Sequence, residues 1–195
     1  MGTSPKNYKI AVTGKAGTGK STASRIIAEY GFKLIEADKI AHKLLEQNPA
    51  KSKIISAFQD DLADPNHIDR RALANLIFYK QEKRELLNSI MHPYMKKIIL
   101  EEMKKYPRLI LEAAVLPLWN LEPQFDLIIQ MVSPDNLRKK RLLSKGWSSD
   151  IINQMNKIQD EIFDNYPALT LDNSYSDQNK LRKKIEALLM ERNLI

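Results

Sequence analysis

The most informative segment of this chain is Gly14-Lys15-Ala16-Gly17-Thr18-Gly19-Lys20-Ser21. It matches G-x-x-x-x-G-K-[ST], the pattern of the phosphate-binding loop called the P-loop. A short apolar run at 10–12 comes before it, and a helical pattern begins at Ser21. Because the motif requires a strand before the loop and a helix after it, the flanking sequence favours a phosphate site over a glycine-rich turn that binds nothing.

The residue types of this loop suit the phosphates of a nucleotide. Glycines allow positive φ angles and a close approach of the backbone to a ligand, so successive N–H groups can form an anion-binding nest. The helix that follows adds the positive end of its dipole. Lys20 would contact the β- and γ-phosphates, and the Ser21 hydroxyl would ligate Mg²⁺. Lys15 could also reach a phosphate, or it could stay solvated.

Composition restricts the classes of function. The chain has 195 residues, 43% hydrophobic and 28% charged, which is ordinary for a globular domain. It contains no cysteine, which excludes disulfides, thiolate zinc sites and cysteine nucleophiles. No apolar run has the length of a membrane span and no secretory signal is visible, so we expect a cytoplasmic protein. The net charge of +7 favours anionic partners.

A carboxylate follows the second predicted strand. Residues 32–36 read as a buried strand, and Asp38 comes just after it, before another helical run. Ligands of parallel sheets lie beyond the carboxyl ends of the strands, so Asp38 could orient or deprotonate an attacking hydroxyl. Asp38 could equally be the N-cap of the next helix, and the two roles are compatible.

A second carboxylate ends the third predicted strand, Leu109–Leu111. Glu112 follows this apolar run in the manner of a Walker B residue, which helps to position Mg²⁺. The alternative is a carboxylate without a role in the site. With a P-loop in the same chain, we favour the metal-supporting interpretation.

Residues 42–105 show helical apolar spacing and no clear strand. A connection of this length predicts a helical insertion that could bind a phosphoryl acceptor. Arg70 and Arg71 could hold a phosphorylated substrate by bidentate contacts, or lie solvated on a helix face. His92-Pro93 predicts the end of one helix and the start of another, with a structural histidine favoured over a catalytic one. The predicted helices cover 50–58, 70–79, 82–91 and a segment from Pro93, and Asp64-Pro65-Asn66 predicts a turn.

The last third of the chain predicts two more strands, Leu127–Met131 and an edge-like one at Leu169–Leu171, and a final amphipathic helix. A helix opened by Pro134 carries a run of cations. An arginine on a mobile segment could close over ATP and stabilise the transferring phosphoryl group, whereas most charge runs on helices are solvated. Spacing does not tell which cation points inward. The cations are Arg138, Lys139, Lys140, Arg141 and Lys145.

The order of these features resembles the dephospho-CoA kinase family, which are P-loop kinases related to the nucleoside monophosphate kinases. The resemblance covers nearly the whole chain. Its stretches are Val12–Thr22, Ile35–His42, Asp69–Leu73, His92-Pro93, Leu111–Ala114 and Asp172–Ser174.

This resemblance implies an α/β, three-layer P-loop kinase fold with a five-stranded parallel sheet, a helical substrate-binding insertion and a helical lid. It implies one domain over residues 1–195. The core would lie at about 8–41, 107–135 and 167–195, the insertion at about 42–106 and the lid at about 136–166.

It also implies ATP-dependent phosphorylation of the ribose 3′-hydroxyl of dephospho-CoA with Mg²⁺, the last step of coenzyme A biosynthesis. Asp38 matches the second aspartate of the family's Asp-Ala-Asp motif and is the implied base, whereas Glu36 replaces the first. Lys20 and Arg141 complete the implied catalytic set, with Arg141 on the lid. The implied nucleotide-binding residues are Gly14, Lys15, Ala16, Gly17, Thr18, Gly19, Lys20, Ser21, Thr22 and Asn173. The implied substrate-side residues are Arg70, Arg71, His92 and Glu112, with Ser21 on the metal.

The chain departs from the family in two places. The family often has Pro-Leu-Leu-Phe-Glu after the third strand, but residues 114–118 lack this glutamate. Residues 150–166 lack the usual arginine and glutamine pattern of the lid, which puts the lid contacts in question.

Two other functions remain compatible with the sequence. One is a P-loop kinase for another small hydroxyl or monophosphate acceptor. The other is a basic P-loop NTPase associated with nucleic acid, which the absence of an aromatic-plus-basic stacking motif disfavours. We therefore expect dephospho-CoA as the partner, no nucleic acid, no membrane, and a monomer or weak homo-oligomer.

Overall fold

A five-stranded, all-parallel sheet organises the computed structural model, which describes residues 7–62, 64, 67–163, 165–175 and 177–195. The strand order is β2-β3-β1-β4-β5. The predicted α/β fold with five parallel strands is therefore confirmed. The strands are β1 (Tyr8–Thr13), β2 (Lys33–Glu36), β3 (Arg108–Glu112), β4 (Leu127–Val132) and β5 (Leu169–Asp172).

The central strand β1 reads as a continuous apolar run because both of its faces are covered. Ile10, Ala11 and Val12 have no exposed surface, as expected for a strand inside a parallel sheet. Val12 lies opposite Glu112 of β3, and Ile10 lies opposite Leu127 of β4. This register brings the end of β1, where the glycine loop begins, next to the end of β3.

The described residues contain eight α-helices. Two 3₁₀ turns, Leu116–Leu118 and Glu122–Gln124, lie between β3 and β4. The helices are α1 (Lys20–Ala28), α2 (Ala37–Leu44), α3 (Ala50–Ala57), α4 (Arg70–Tyr79), α5 (Gln81–Lys105), α6 (Asp135–Leu143), α7 (Ser149–Phe163) and α8 (Gln178–Glu191).

Helices α1 and α8 form one hydrophobic core with the sheet. Ile27 of α1 and Ile185 and Leu189 of α8 are fully buried in it, together with Ile10 and Ile129. At the surface Arg182 of α8 makes a bidentate pair with Glu29, which follows α1. The side-chain hydrogen bond with Arg182 lowers the pKa of Glu29.

The chain forms two compact units. One combines the segment up to Glu36 with residues 103–195 and contains the sheet, and the other comprises Ala37–Glu102. The second unit is helical in its described residues, and Ala50, Ile54, Phe58 and Ile99 are among those that are fully buried. The predicted single domain, with an insertion at 42–106 and a lid at 136–166, stays a prediction.

The prediction of a helix boundary at His92-Pro93 is wrong. The structure has one continuous helix, α5, with Pro93 inside it. Met91, Met95 and Ile99 are buried at a spacing of four residues across the proline. Their common buried face stabilises the helix on both sides of the one hydrogen bond that proline cannot make.

Within the described residues, no helix has both the length and the apolar character needed to span a membrane. The cytoplasmic location stays a prediction. Most of the predicted turn at 64–66 lies outside the described residues.

Candidate active site

The glycine loop has the backbone that its sequence predicts. Gly14, Gly17 and Gly19 have φ angles of 130°, 79° and 100°. The loop connects β1 to α1, and Gly19 is the residue that caps the N-terminus of this helix. The chain therefore presents a strand, a glycine-rich loop and a helix N-terminus in the arrangement that binds phosphate in other proteins.

Side chains are excluded from two points of the loop by close neighbours. A Cβ at Gly14 would lie 2.4 Å from the Met131 carbonyl oxygen, and a Cβ at Gly19 would lie 2.3 Å from Asn173 Nδ2. Real Cβ atoms essentially never approach so closely. These glycines are therefore required for packing as well as for backbone conformation.

The two lysines of the loop have partners inside the protein. Lys20 Nζ donates a hydrogen bond to the Lys15 carbonyl at 3.1 Å, and the Thr18 hydroxyl donates to the same oxygen at 2.8 Å. The Lys15 ammonium pairs with Asp160 of α7. From the sequence, Lys15 could contact a phosphate or remain solvated. The structure shows a third arrangement, the ion pair with Asp160.

Two carboxylates and a hydroxyl lie near the loop at the carboxyl end of the sheet. Ser21 Oγ donates to Glu112 Oε1 at 2.6 Å. Glu36, at the end of β2, lies opposite Glu112 in the strand register. In the described part of the chain no group of three or more His, Cys, Asp or Glu residues could hold a metal by itself. The donor set suits Mg²⁺, which usually takes one or two protein oxygens plus phosphate and water.

Asn173 links the last strand to the P-loop. Its backbone N–H donates to the Val132 carbonyl at 2.9 Å. Its buried side chain donates from Nδ2 to the Thr18 carbonyl at 2.8 Å. Asn173, which the family resemblance implies to be a nucleotide-binding residue, is thus anchored directly to the glycine loop.

Arg141 is one of two cations of α6 that reach the loop. Its Nη1 donates to the Gly17 carbonyl at 3.1 Å and to Ser133 Oγ at 3.2 Å, and its Nη2 donates to the Asn173 carbonyl at 3.1 Å. Partial burial lowers the pKa of Arg141 from its ordinary value, but an arginine remains charged at neutral pH. Lys139, Lys140 and Lys145 are exposed.

Arg138, the other inward cation, was not singled out by the sequence. It is 3% exposed, and its Nε donates to the Ala16 carbonyl at 2.9 Å. On α7, Gln159 Oε1 accepts a hydrogen bond from the Ala16 N–H at 2.7 Å. Gln159 lies in residues 150–166, the segment described above as departing from the family's usual lid pattern, and it contacts the loop. The i, i+3 spacing of Arg138 and Arg141 was the available signal for a shared face, whereas nothing local marked Gln159.

Four of the predicted site residues belong to the second unit, namely Asp38, Arg70, Arg71 and His92. Asp38 is exposed in the first turn of α2, which begins at Ala37, so it lies inside the helix rather than at the flanking position of an N-cap. Arg70 pairs with Glu46. Arg71 is exposed, and its backbone N–H donates to the side chain of Asp69, the N-cap of α4.

His92 is the fourth, and it is half-buried in the middle of α5. Burial, and then the charge of Lys96, lower the pKa of His92. The assignment of His92, Asp38 and the two arginines to acceptor chemistry remains a prediction.

The strand order and the loop after its central strand define the class of P-loop kinases. A family model described as "Dephospho-CoA kinase" matches residues 8–163. This chain belongs to the dephospho-CoA kinase family, a family of phosphotransferases, and the predicted family and enzyme class are confirmed.

Relatives along nearly the full length support this assignment. The chain is 35% identical to a dephospho-CoA kinase of Borreliella burgdorferi over 189 residues, covering 91% of this chain and 90% of the relative. It superposes on a dephospho-CoA kinase from Campylobacter jejuni with a TM-score of 0.62 and 25% identity, covering 95% and 96% of the two chains. A shikimate kinase from Acinetobacter baumannii, with a TM-score of 0.59 and 15% identity over 98% and 97% of the chains, shares the fold.

Proposed function

We propose that this protein transfers the γ-phosphoryl group of ATP to the ribose 3′-hydroxyl of dephospho-CoA, giving CoA and ADP. Membership of the dephospho-CoA kinase family supports the acceptor. The observation that carries the proposal is the glycine loop itself, with positive φ at Gly14, Gly17 and Gly19 and a helix N-terminus directly after it.

The phosphates of ATP would bind at this loop. Lys20 would exchange its hydrogen bond to a neutral carbonyl for the charged oxygens of the β- and γ-phosphates, which form stronger hydrogen bonds. The predicted contacts cover residues 14–22 and Asn173. Arg141 would neutralise part of the charge that develops on the transferring group.

Ser21 and Glu112 would hold Mg²⁺. Their oxygens are in direct hydrogen-bond contact, so they are close enough for both to belong to one ion's surroundings, Glu112 directly or through water. When bound there, the ion would supply positive charge that offsets the negative charge of the phosphates. Glu36 lies opposite Glu112 and adds negative charge at the same strand ends.

Asp38 would accept the proton of the attacking hydroxyl. The ribose oxygen would form a bond to the γ-phosphorus while the bond from this phosphorus to the ADP oxygen breaks, and the 3′-hydroxyl proton would pass to the Asp38 carboxylate. Asp38 is an exposed carboxylate two residues after β2. Acceptor binding would involve Arg70, Arg71 and His92. Arg70 would give up its ion pair with Glu46 and bind a phosphate of the substrate instead.

The test is transfer from ATP to dephospho-CoA by the purified protein, with ADP detection and mass analysis of the product, with Mg²⁺ and with EDTA. We expect CoA to form with Mg²⁺ only, and adenosine and nucleoside monophosphates to be poor acceptors. A preference for one of these other acceptors would contradict the proposal.

The residue-level prediction concerns Asp38→Asn. We expect kcat to fall by about 10² to 10⁴, the usual contribution of a general base, because an amide cannot take the proton. The Kd for ATP should stay within about twofold, since the phosphate contacts are not changed. Asp60→Asn is the matched control, because Asp60 is another exposed aspartate of the second unit. Turnover close to that of the control would remove Asp38 from the mechanism.

A further inference from the structure

The backbone N–H and the backbone carbonyl of Ala16 both form hydrogen bonds with side chains from outside the P-loop. The Ala16 carbonyl accepts a hydrogen bond from Arg138 Nε at 2.9 Å, and the Ala16 N–H donates to Gln159 Oε1 at 2.7 Å. Arg138 comes from α6 and Gln159 from α7, and both are almost completely buried, at 3% and 4% exposure. The backbone of Ala16 is therefore held by one side chain from each of two helices.

The guanidinium of Arg138 has a fixed orientation. Beside the Ala16 contact, its Nη1 donates to Asp135 Oδ1 and its Nη2 to Asn156 Oδ1, each at 2.6 Å. A planar group with three separate acceptors cannot rotate without losing one of them. The direction of the Ala16 carbonyl is therefore set jointly by α6, which carries Asp135, and α7, which carries Asn156.

The backbone of α6 also packs against the next residue of the loop. A Cβ at Gly17 would lie 2.9 Å from the Arg138 carbonyl oxygen and 3.2 Å from its Cα. The loop is thus confined at 16 by hydrogen bonds and at 17 by van der Waals contact. A small rotation of the Ala16 peptide would change the direction of the N–H groups that follow it.

We propose that Arg138 and Gln159 are positioning residues for ATP, acting together through the backbone of Ala16 to hold the glycine loop in its phosphate-binding conformation. Neither side chain needs to touch the nucleotide. This inference rests on the proposed binding of ATP at the loop, and it assigns a role to α6 and α7 besides the contacts of Arg141. A preformed loop binds more tightly because less conformational entropy is lost on binding.

The test measures binding of a non-hydrolysable ATP analogue with Mg²⁺ by calorimetry, so that it does not depend on the acceptor. Gln159→Met keeps the size and burial of the side chain and removes the acceptor. We expect it to raise the Kd for the analogue and the KM for ATP about 3- to 10-fold, the usual effect of one hydrogen bond. We expect kcat and the KM for dephospho-CoA to stay within twofold.

Two controls separate positioning from stability. Ile152→Val removes one methyl group from another fully buried side chain of α7. It should lower the melting temperature and leave the Kd for the analogue unchanged. Lys139→Met removes an exposed cation of α6 and should change neither. If Gln159→Met behaves like Ile152→Val, the contacts only hold the helices in place and the inference is overturned.

A double-mutant cycle tests whether the two residues act through the same loop residue, Ala16. Arg138→Lys keeps the positive charge but cannot reach three acceptors at once. Once it has loosened the backbone of Ala16, adding Gln159→Met should weaken binding by less than it does in the wild-type protein. Independent effects that multiply in the double variant would contradict the proposal. If the wild-type protein fails to phosphorylate dephospho-CoA, the proposed acceptor is refuted. The binding measurements still test this inference, because they involve no acceptor.

Discussion

At the scale of single residues, Gly19 shows how tightly the loop is packed. Of the three loop glycines, it is the one at which an added Cβ would have the nearest neighbouring atom. Its φ of +100° is a conformation that side chains disfavour, and a Cβ would lie 2.3 Å from Asn173 Nδ2. That same nitrogen donates to the Thr18 carbonyl. Gly19 therefore couples the shape of the loop to the position of the turn after β5.

Gly19→Ala should weaken ATP binding at least tenfold, because the new methyl group displaces Asn173 and strains the backbone of the loop. Calorimetry with an ATP analogue measures this. Gly31→Ala is the matched control, since Gly31 has a φ of +83° and a Cβ added there would meet nothing within 4 Å. It should cost about 1 kcal/mol of stability for the backbone alone and leave the Kd unchanged. Equal effects of the two substitutions on binding would show that a general loss of stability, and not a local change in the loop, is responsible.

Residues of the site differ in how far the sequence predicts them. The glycines are readable because a positive φ is a local requirement that one residue type meets. The cations of α6 are not, since Arg138 and Lys139 are neighbours in one charge run and only one of them is buried. Which side of a helix faces the core depends on segments far away in the chain, here residues 16 and 156, which accept hydrogen bonds from Arg138.

At the scale of elements, α5 shows where local signals mislead. Proline usually ends a helix because it lacks an N–H and crowds the preceding turn. In α5 the buried face formed by Met91, Met95 and Ile99 continues past Pro93, and tertiary packing overrides the local preference. The strands were predicted within one or two residues, because short apolar runs between glycines and charges leave few alternatives.

Helix α5 also predicts a dependence of stability on pH. His92 has a pKa lowered first by burial and then by Lys96, so the unfolded chain binds a proton more readily than the folded one. The contribution of His92 is therefore fully present above its unfolded pKa of about 6.5 and is lost as the pH falls toward its folded pKa. We expect the free energy of unfolding in urea to decrease between pH 7.5 and 5.5.

His92→Gln should reduce this decrease, because glutamine does not titrate. His42→Gln provides the comparison, since His42 is an exposed histidine of α2, and its pH dependence should match that of the wild-type protein. A wild-type slope in the His92→Gln variant would assign the pH dependence to other groups.

At the scale of the whole molecule, ligand binding should be visible as stability of the unit that contains the sheet. A ligand at 100 times its Kd adds about 2.7 kcal/mol to the free energy of unfolding. We expect an ATP analogue with Mg²⁺ to raise the melting temperature of the wild-type protein, as followed by circular dichroism. Lys20→Met should abolish most of this rise because it removes the charge that we propose contacts the phosphates. A full rise in this variant would place the nucleotide away from the loop.

The sequence predicts the number of strands and their parallel direction better than it predicts their order. Each strand is marked by its own residues, but the order β2-β3-β1-β4-β5 arises from pairings between distant segments. Asn173 reaches Thr18 across 155 positions of sequence, and only the resemblance to a family pointed to it.

The central position of β1 has a consequence for biosynthesis. Strand β1 leaves the ribosome before the other four strands, yet its partners β3 and β4 begin only at Arg108 and Leu127. At roughly 5 to 20 residues per second, its apolar side chains wait for several seconds before either neighbour is made. Asn173 is translated later still, so the hydrogen bond from its side chain to the Thr18 carbonyl cannot anchor the glycine loop of a nascent chain until β5 and the residues after it have also been synthesised.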